Sequence, residues 1–212
     1  MNNILGRKVD LTKAIIGAII VSIGFLGLLF APAIISIFSL TITGILSLIL
    51  VYGKKNVAQI FSRPISPFKN IIKYFFLNLV VSMGVALILK YALHWTLQSN
   101  PVNEGFSPLL FITIPIMLLG EELFSIYFLS IFSSKFNLSV ASILSAVIFG
   151  LVHFSTYYSG NIFHTLVHIL LIQGVARIIF NQAAIKSNSI ITSWIVHVLF
   201  DFSTILIVLF FS

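Results

Sequence analysis

PLLFITIPIMLLGEELFSIYFLSIF, residues 108–132, is apolar for long enough to cross a lipid bilayer, yet it holds two adjacent carboxylates, Glu121 and Glu122. A membrane helix needs about 20 apolar residues. A carboxylate near its middle costs roughly 2.5–3.5 kcal/mol on insertion scales. The chain has only five acidic residues, and a third, Asp201, also falls in an apolar stretch. Together the three cost on the order of 8–10 kcal/mol before any compensation. His153 and His197 lie in apolar runs as well, and His197 stands one helical turn before Asp201, on the same helix face. Carboxylates and histidines buried in lipid-facing sequence point to an intramembrane active site.

The rest of the chain is of the same kind. Its 212 residues are 59% hydrophobic and 8% charged, against about 25% charged in soluble domains. No polar segment between the apolar runs is long enough to bury a core of its own, which predicts one integral membrane domain over residues 1–212, an all-α helix bundle. The net charge of +7 reads as a topology signal rather than as nucleic-acid binding, because the basic residues gather at the ends of apolar runs. With no cysteine, disulfides, thiolate ligands and cysteine nucleophiles are excluded. The Ile, Asn, Ser, Lys and Phe bias points to a low-GC bacterium, and so to its cytoplasmic membrane.

Seven membrane runs are expected, over about 12–30, 33–52, 71–96, 108–132, 138–157, 162–181 and 189–211, with Pro32 breaking the first pair into a hairpin. Ala31-Pro32-Ala33 has the small-x-small form of a signal-peptide cleavage site. Its apolar run is longer than a usual h-region and more membrane sequence follows, so the run is expected to stay. The Gly53–Asn70 connector carries Lys54, Lys55, Arg63 and Lys69 with no acid, which predicts a cytoplasmic loop. Arg7, Lys8 and Lys13 then place the N-terminus inside. Lys135 and Lys186 follow them, the Gln98–Ser107 loop with Glu104 lies outside, and so does the C-terminus. There is no internal repeat, and all the chemistry lies in the second half, unlike the paired broken helices of transporters.

Adjacent helix residues point about 100° apart. One of Glu121 and Glu122 therefore aims at a common centre while the other orients a neighbour or caps a local break. A water held between Glu121 and His153 can be deprotonated by the pair, while His197 with Asp201 polarises a carbonyl or holds a metal. Two glutamates that only bridge helices, and histidines satisfied by backbone carbonyls, are the plainer alternatives.

Three motifs stand in order on three runs: Glu121-Glu122-Leu-Phe-Ser-Ile126, Phe149-x-x-x-His153 and His197-x-x-x-Asp201. They resemble Glu-Glu-x-x-x-Arg, Phe-x-x-x-His and His-x-x-x-Asn/Asp. These are the signatures of the CAAX protease and bacteriocin-processing family of intramembrane proteases (CPBP, or Abi), which includes the type II CAAX prenyl endopeptidases. The resemblance runs from about Ile114 to Ser203, within a protease core over 108–212. It implies an endopeptidase in which Glu121 is general base on water, aided by His153. Glu122 supports, and His197 and Asp201 stabilise the oxyanion or bind a metal. If the enzyme is a metalloprotease, His153, His197 and Asp201 are the zinc ligands. A metal-free glutamate mechanism stays open beside it. Implied substrates are membrane-associated peptides or proteins, among them a bacteriocin or its precursor, in immunity or peptide maturation.

Two positions depart from the pattern. Ile126 stands at the family's Arg, which predicts a weakened enzyme unless another cation reaches Glu122. Asp201 stands where many relatives carry Asn, and a carboxylate has no amide hydrogen to donate to an oxyanion. Arg177, near the inner end of the sixth run, is expected to snorkel, with pairing to Glu122 as the alternative. His164 and His168 share a face, but without a His-Glu-x-x-His acid they read as packing or groove residues. His94-Trp95 reads as an interfacial anchor. The rivals to a protease are a non-catalytic bacteriocin-immunity protein, fed by Ile126, and a proton- or cation-coupled transporter using the same carboxylates.

Overall fold

The computed structural model describes residues 1–98 and 107–211, with side chains through Leu209. The helices run α1 (Leu11–Phe30), α2 (Ala33–Tyr52), α3 (Lys54–Ile60), α4 (Pro67–Leu87), α5 (Leu110–Ser133), α6 (Leu138–Val152), α7 (Ile162–Ile169), α8 (Val175–Ser187) and α9 (Ile190–Phe211). A π-helical turn over Ile88–Ala92 prolongs α4, and another over Leu170–Gly174 joins α7 to α8 in one continuous rod. Among the described residues six helical stretches are long and apolar enough to span a membrane, and α6 is a shorter apolar helix beside them. The bundle of about seven helices is therefore as expected. The outer loop with Glu104 falls, apart from its ends, outside the described residues.

Local chemistry sets the boundaries. The Asp10 carboxylate accepts from the Lys13 N–H at 2.9 Å and starts α1. Asn137 and Asn161 cap α6 and α7 in the same way. Pro32 separates α1 from α2 as anticipated. Asn188 ends α8 in the left-handed conformation, φ 56°, which Asn tolerates better than most residues.

Three runs differ from their expected limits. The third, expected over 71–96, starts at Pro67 and ends at Ala92, because Pro67 at the first helical position opens the helix early. The fifth, expected over 138–157, is helical only to Val152. Its last N–H bonds shorten to three-residue spacing, His153 to Gly150 and Phe154 to Leu151, and the chain then turns. At 15 residues, α6 is about 22 Å long, short of the roughly 30 Å hydrocarbon core. His153 consequently sits at a helix end inside the bundle. The sixth run goes on past 181 to Ser187, because the polar side chains of Arg177 and Asn181 are bonded inside the bundle and the chain first leaves the helix at Asn188.

α5 is the hub, packed against α1, α2, α6, α8 and α9. Half of its most apolar window is buried, against 22% for α1 and for α2. Close approach to α2 depends on Gly120, where a Cβ would lie 2.9 Å from the Thr41 backbone nitrogen. On the far side α4 closes the bundle against α8 and α9.

Candidate active site

The two neighbouring glutamates part company on α5. Glu122 turns inward and is fully buried. The Arg177 guanidinium grips its carboxylate in a two-pronged ion pair, Nη1 to Oε1 at 2.6 Å and Nη2 to Oε2 at 3.0 Å. Arg177 Nε donates to Asn181 Oδ1 at 3.1 Å, and Asn181 Nδ2 donates to Ser142 Oγ at 3.1 Å, so one polar chain links α5, α8 and α6. The guanidinium also lies over the Phe149 and Phe180 rings, 5.5 and 5.2 Å from their centroids. Arg177 thus does not snorkel. It is 0% exposed, because a bidentate carboxylate and an amide satisfy its donors inside the protein.

His197, on α9, completes this cluster. Its Nδ1 lies 3.0 Å from Glu122 Oε1. An ionised carboxylate only accepts, so Nδ1 carries the hydrogen and donates. The opposite nitrogen, Nε2, faces Glu121 Oε2 at 3.9 Å and Asp201 Oδ1 at 3.8 Å. These separations are too long for direct hydrogen bonds and of a size that one interposed atom closes. The one-turn spacing of His197 and Asp201 does put both on one side of α9, as expected.

His153 reaches the same centre from the end of α6. Its Nδ1 donates to the Phe149 carbonyl oxygen at 2.7 Å, so in the neutral ring the lone pair is on Nε2. Phe149, the first residue of its motif, therefore fixes a tautomer through its backbone and steadies Arg177 with its ring.

Two cavities meet here. One of about 190 Å³ is polar and is lined by Glu121, His153, Gln173, His197, Asp201 and Thr204, among others. The other, about 260 Å³, opens between α1, α5 and α6 over Phe25, Leu28, Ile114, Leu118 and Val152. Glu121, His153, Tyr157 and Asp201 line both. The carboxylates and His153 thus stand where an apolar groove adjoins a polar chamber, an arrangement suited to an apolar chain on one side and water on the other.

The structure brings Glu121, His153, His197 and Asp201 to one centre and puts Glu122 behind them. His164 and His168 part: His164 stacks on Trp95 with centroids 4.0 Å apart, and His168, buried, packs edge-on against Tyr157 and lines the polar chamber. Gln173 is an addition that sequence reasoning missed. It sits in the π turn, where the extra residue per turn shifts which side chains face the chamber. Asn181 was missed too, although Arg177 and Asn181, one turn apart in an apolar run, were a readable polar pair.

The donors here are of types that zinc accepts. Among the described residues, however, no three His, Asp or Glu side chains are gathered closely enough to hold a metal ion.

Residues 103–203 match the family model of Rce1-like type II CAAX prenyl endopeptidases. No curated protein and no solved structure matches the chain. The matched segment spans all three motifs and reaches from just before α5 into α9. The segment is similar to a protease family, consistent with the one that the motifs resemble.

Proposed function

We propose that the protein is an intramembrane endopeptidase that hydrolyses a peptide bond in a membrane-associated substrate, with Glu121 as general base. The observation that carries this reading is the division between the two glutamates. Glu122 is saturated by Arg177 and His197, while Glu121 and His153 line the same two cavities.

In the reaction, a water between Glu121 and His153 gives a proton to the Glu121 carboxylate as its oxygen attacks the scissile carbonyl carbon. The carbonyl electrons move to the oxygen. His197, with Nδ1–H held by Glu122 and a second proton on Nε2, donates Nε2–H to that oxyanion. Before attack Glu121, Glu122 and Asp201 surround the imidazolium with opposite charge, and Glu122 and Asp201 still do once Glu121 has taken the water's proton. Gln173, which has no side-chain hydrogen bond among the described residues, offers the amide hydrogen that Asp201 lacks. On collapse the carbon–nitrogen bond breaks and the departing amine takes the proton from Glu121. The apolar groove would hold the lipid-like or apolar part of the substrate.

Arg177 supplies from α8 the cation that Ile126 does not, which weighs against a non-catalytic immunity protein, although a bacteriocin or its precursor stays a candidate substrate. We place the Gly53–Asn70 connector and the N-terminus on the cytoplasmic side, from the distribution of lysine and arginine. Cleavage of an internally quenched peptide carrying an S-prenyl cysteine, by protein in lipid nanodiscs, tests the reading. Glu121→Gln should lose about 10²–10⁴-fold in kcat with thermal unfolding unchanged. A chelator should leave the wild-type rate intact. Equal cleavage by both proteins would overturn the role of Glu121, and loss with chelator, restored by zinc, would overturn the metal-free route.

A further inference from the structure

Away from the active site, Lys69 and Lys73 on α4 and Lys186 in the last turn of α8 surround an open cavity of about 280 Å³, also lined by Ser66, Asn70 and Tyr74. Among the described residues no acidic side chain lines it. Tyr74 is only 5% exposed, and its phenol makes no hydrogen bond among the described residues. The Lys73 ammonium lies 5.1 Å from its ring centroid. Backbone bonds hold the rim: Ile65 N–H donates to the Ser187 carbonyl at 2.8 Å, and Asn70 Nδ2 donates to the Ile65 carbonyl at 2.9 Å.

The start of α4 adds to the positive field. Ser66 takes a left-handed conformation, φ 47°, and its side chain caps nothing. The first N–H groups of α4 and the positive end of its dipole therefore lie uncapped beside the lysines. The tendency of cytoplasmic ends to be basic explains lysines on one side of the membrane. It does not explain three of them converging on one cavity with a buried phenol and an open helix start.

We propose that this cavity binds the phosphate of an anionic glycerophospholipid headgroup. Phosphate chemistry follows from the ammonium groups, the phenol and the helix terminus. A lipid rather than a soluble phosphate follows from the neighbours: Ile65, Phe68 and Ile72 are exposed large apolar side chains at the same end of α4, placed to meet acyl chains. Lys73 and Lys186 approach the phosphate from two helices, so a bound lipid fastens the start of α4 to the end of α8, the helix that carries Arg177.

The test measures lipid binding and is independent of proteolysis. Protein in phosphatidylcholine nanodiscs is titrated with dioleoyl phosphatidylglycerol, and retained lipid is counted by native mass spectrometry. The variant K69Q/K73Q/K186Q should bind phosphatidylglycerol at least tenfold more weakly than wild type. K54Q/K55Q, which removes two exposed lysines of α3 outside the cavity, should change affinity less than threefold. Inorganic phosphate at the lipid's concentration should not displace it. All of these side chains are exposed, and equal thermal unfolding in phosphatidylcholine verifies folding. Equal losses in both variants would reduce the effect to general surface charge and overturn the site. Saturation by inorganic phosphate, with no preference for phosphatidylglycerol, would overturn the lipid assignment. Glu121→Gln protein should give wild-type affinities, so the lipid site stands or falls apart from the catalytic reading.

Discussion

The α1–α2 hairpin and the α5–α9 core solve the same problem, helix association in lipid, by opposite means. In the hairpin, contacts run through small residues and hydroxyls. Ser39 and Ser47 donate to the carbonyls of Gly24 and Gly17. A Cβ at Gly24 would lie 1.7 Å from Thr43 Oγ1, so only glycine admits α2 this closely. The Tyr127 hydroxyl of α5 reaches the Ala14 carbonyl. In the core, the helices are joined by ions: Glu122, Arg177 and His197 come from three different helices. Small-residue packing has no charged group to leave stranded, whereas an ionic cluster is stable only when every member is present. The hairpin should therefore tolerate loss piecemeal, and the core should not.

The largest effect should come from Arg177→Met, which leaves Glu122 buried without its cation. Thermal or denaturant unfolding in detergent should show a loss of about 3–5 kcal/mol. If the loss is below about 1 kcal/mol, the comparison fails at its stronger side. Ile126→Arg sharpens the point. Ile126 is fully buried, and the Glu122 oxygens already serve Arg177 and His197, so the new guanidinium would be a second buried cation. The single change should destabilise by about the same 3–5 kcal/mol. Combined with Arg177→Met, it moves the cation to the position one turn after Glu122, and stability and cleavage should both recover in part. A swap no better than either single variant would show that the α5–α8 crossing, not the charge, is what matters.

Next in size is Gln173→Leu. Loss of one oxyanion donor should lower kcat about 10²-fold and leave KM nearly unchanged. Adding Asp201→Asn supplies a different amide to the same chamber and should restore part of the rate. A rise in KM alone would make Gln173 a substrate-groove residue.

The sequence made the core's composition legible and its wiring only partly so. Glu121, His153, His197 and Asp201 could be found because ionisable groups in apolar runs are costly enough to mark a site. The hairpin break was legible in Pro32, since proline has no N–H to continue a helix. The pairing of Arg177 was harder. The run was expected to end near 181 but continues to Ser187, so Arg177 lies inside the rod, and which carboxylate it meets there is a property of how α5 and α8 cross. The early end of α6 and the π turn that presents Gln173 were hidden for a related reason. Neither place carries a proline, and hydrophobic periodicity does not register a helix that unwinds or gains a residue inside the bundle.

Ser47→Ala should have the smallest effect, and it tests the hairpin side of the comparison. Ser47 is fully buried, and its hydroxyl meets the Gly17 carbonyl at 2.9 Å and the Thr43 carbonyl at 2.8 Å. In water-soluble cores, a buried hydroxyl with two such contacts would look important. Here both carbonyls belong to helix interiors and keep their backbone partners when the hydroxyl is removed, so no buried acceptor is left unpaired. Alanine fits the same space without a clash. The expected cost is that of an average interhelical hydrogen bond in a membrane, about 0.6 kcal/mol, read by unfolding in detergent, with peptide cleavage unchanged. A loss near that of Arg177→Met would mean that the hairpin is wired as tightly as the core, and that α1 and α2 position the apolar groove rather than merely flank it.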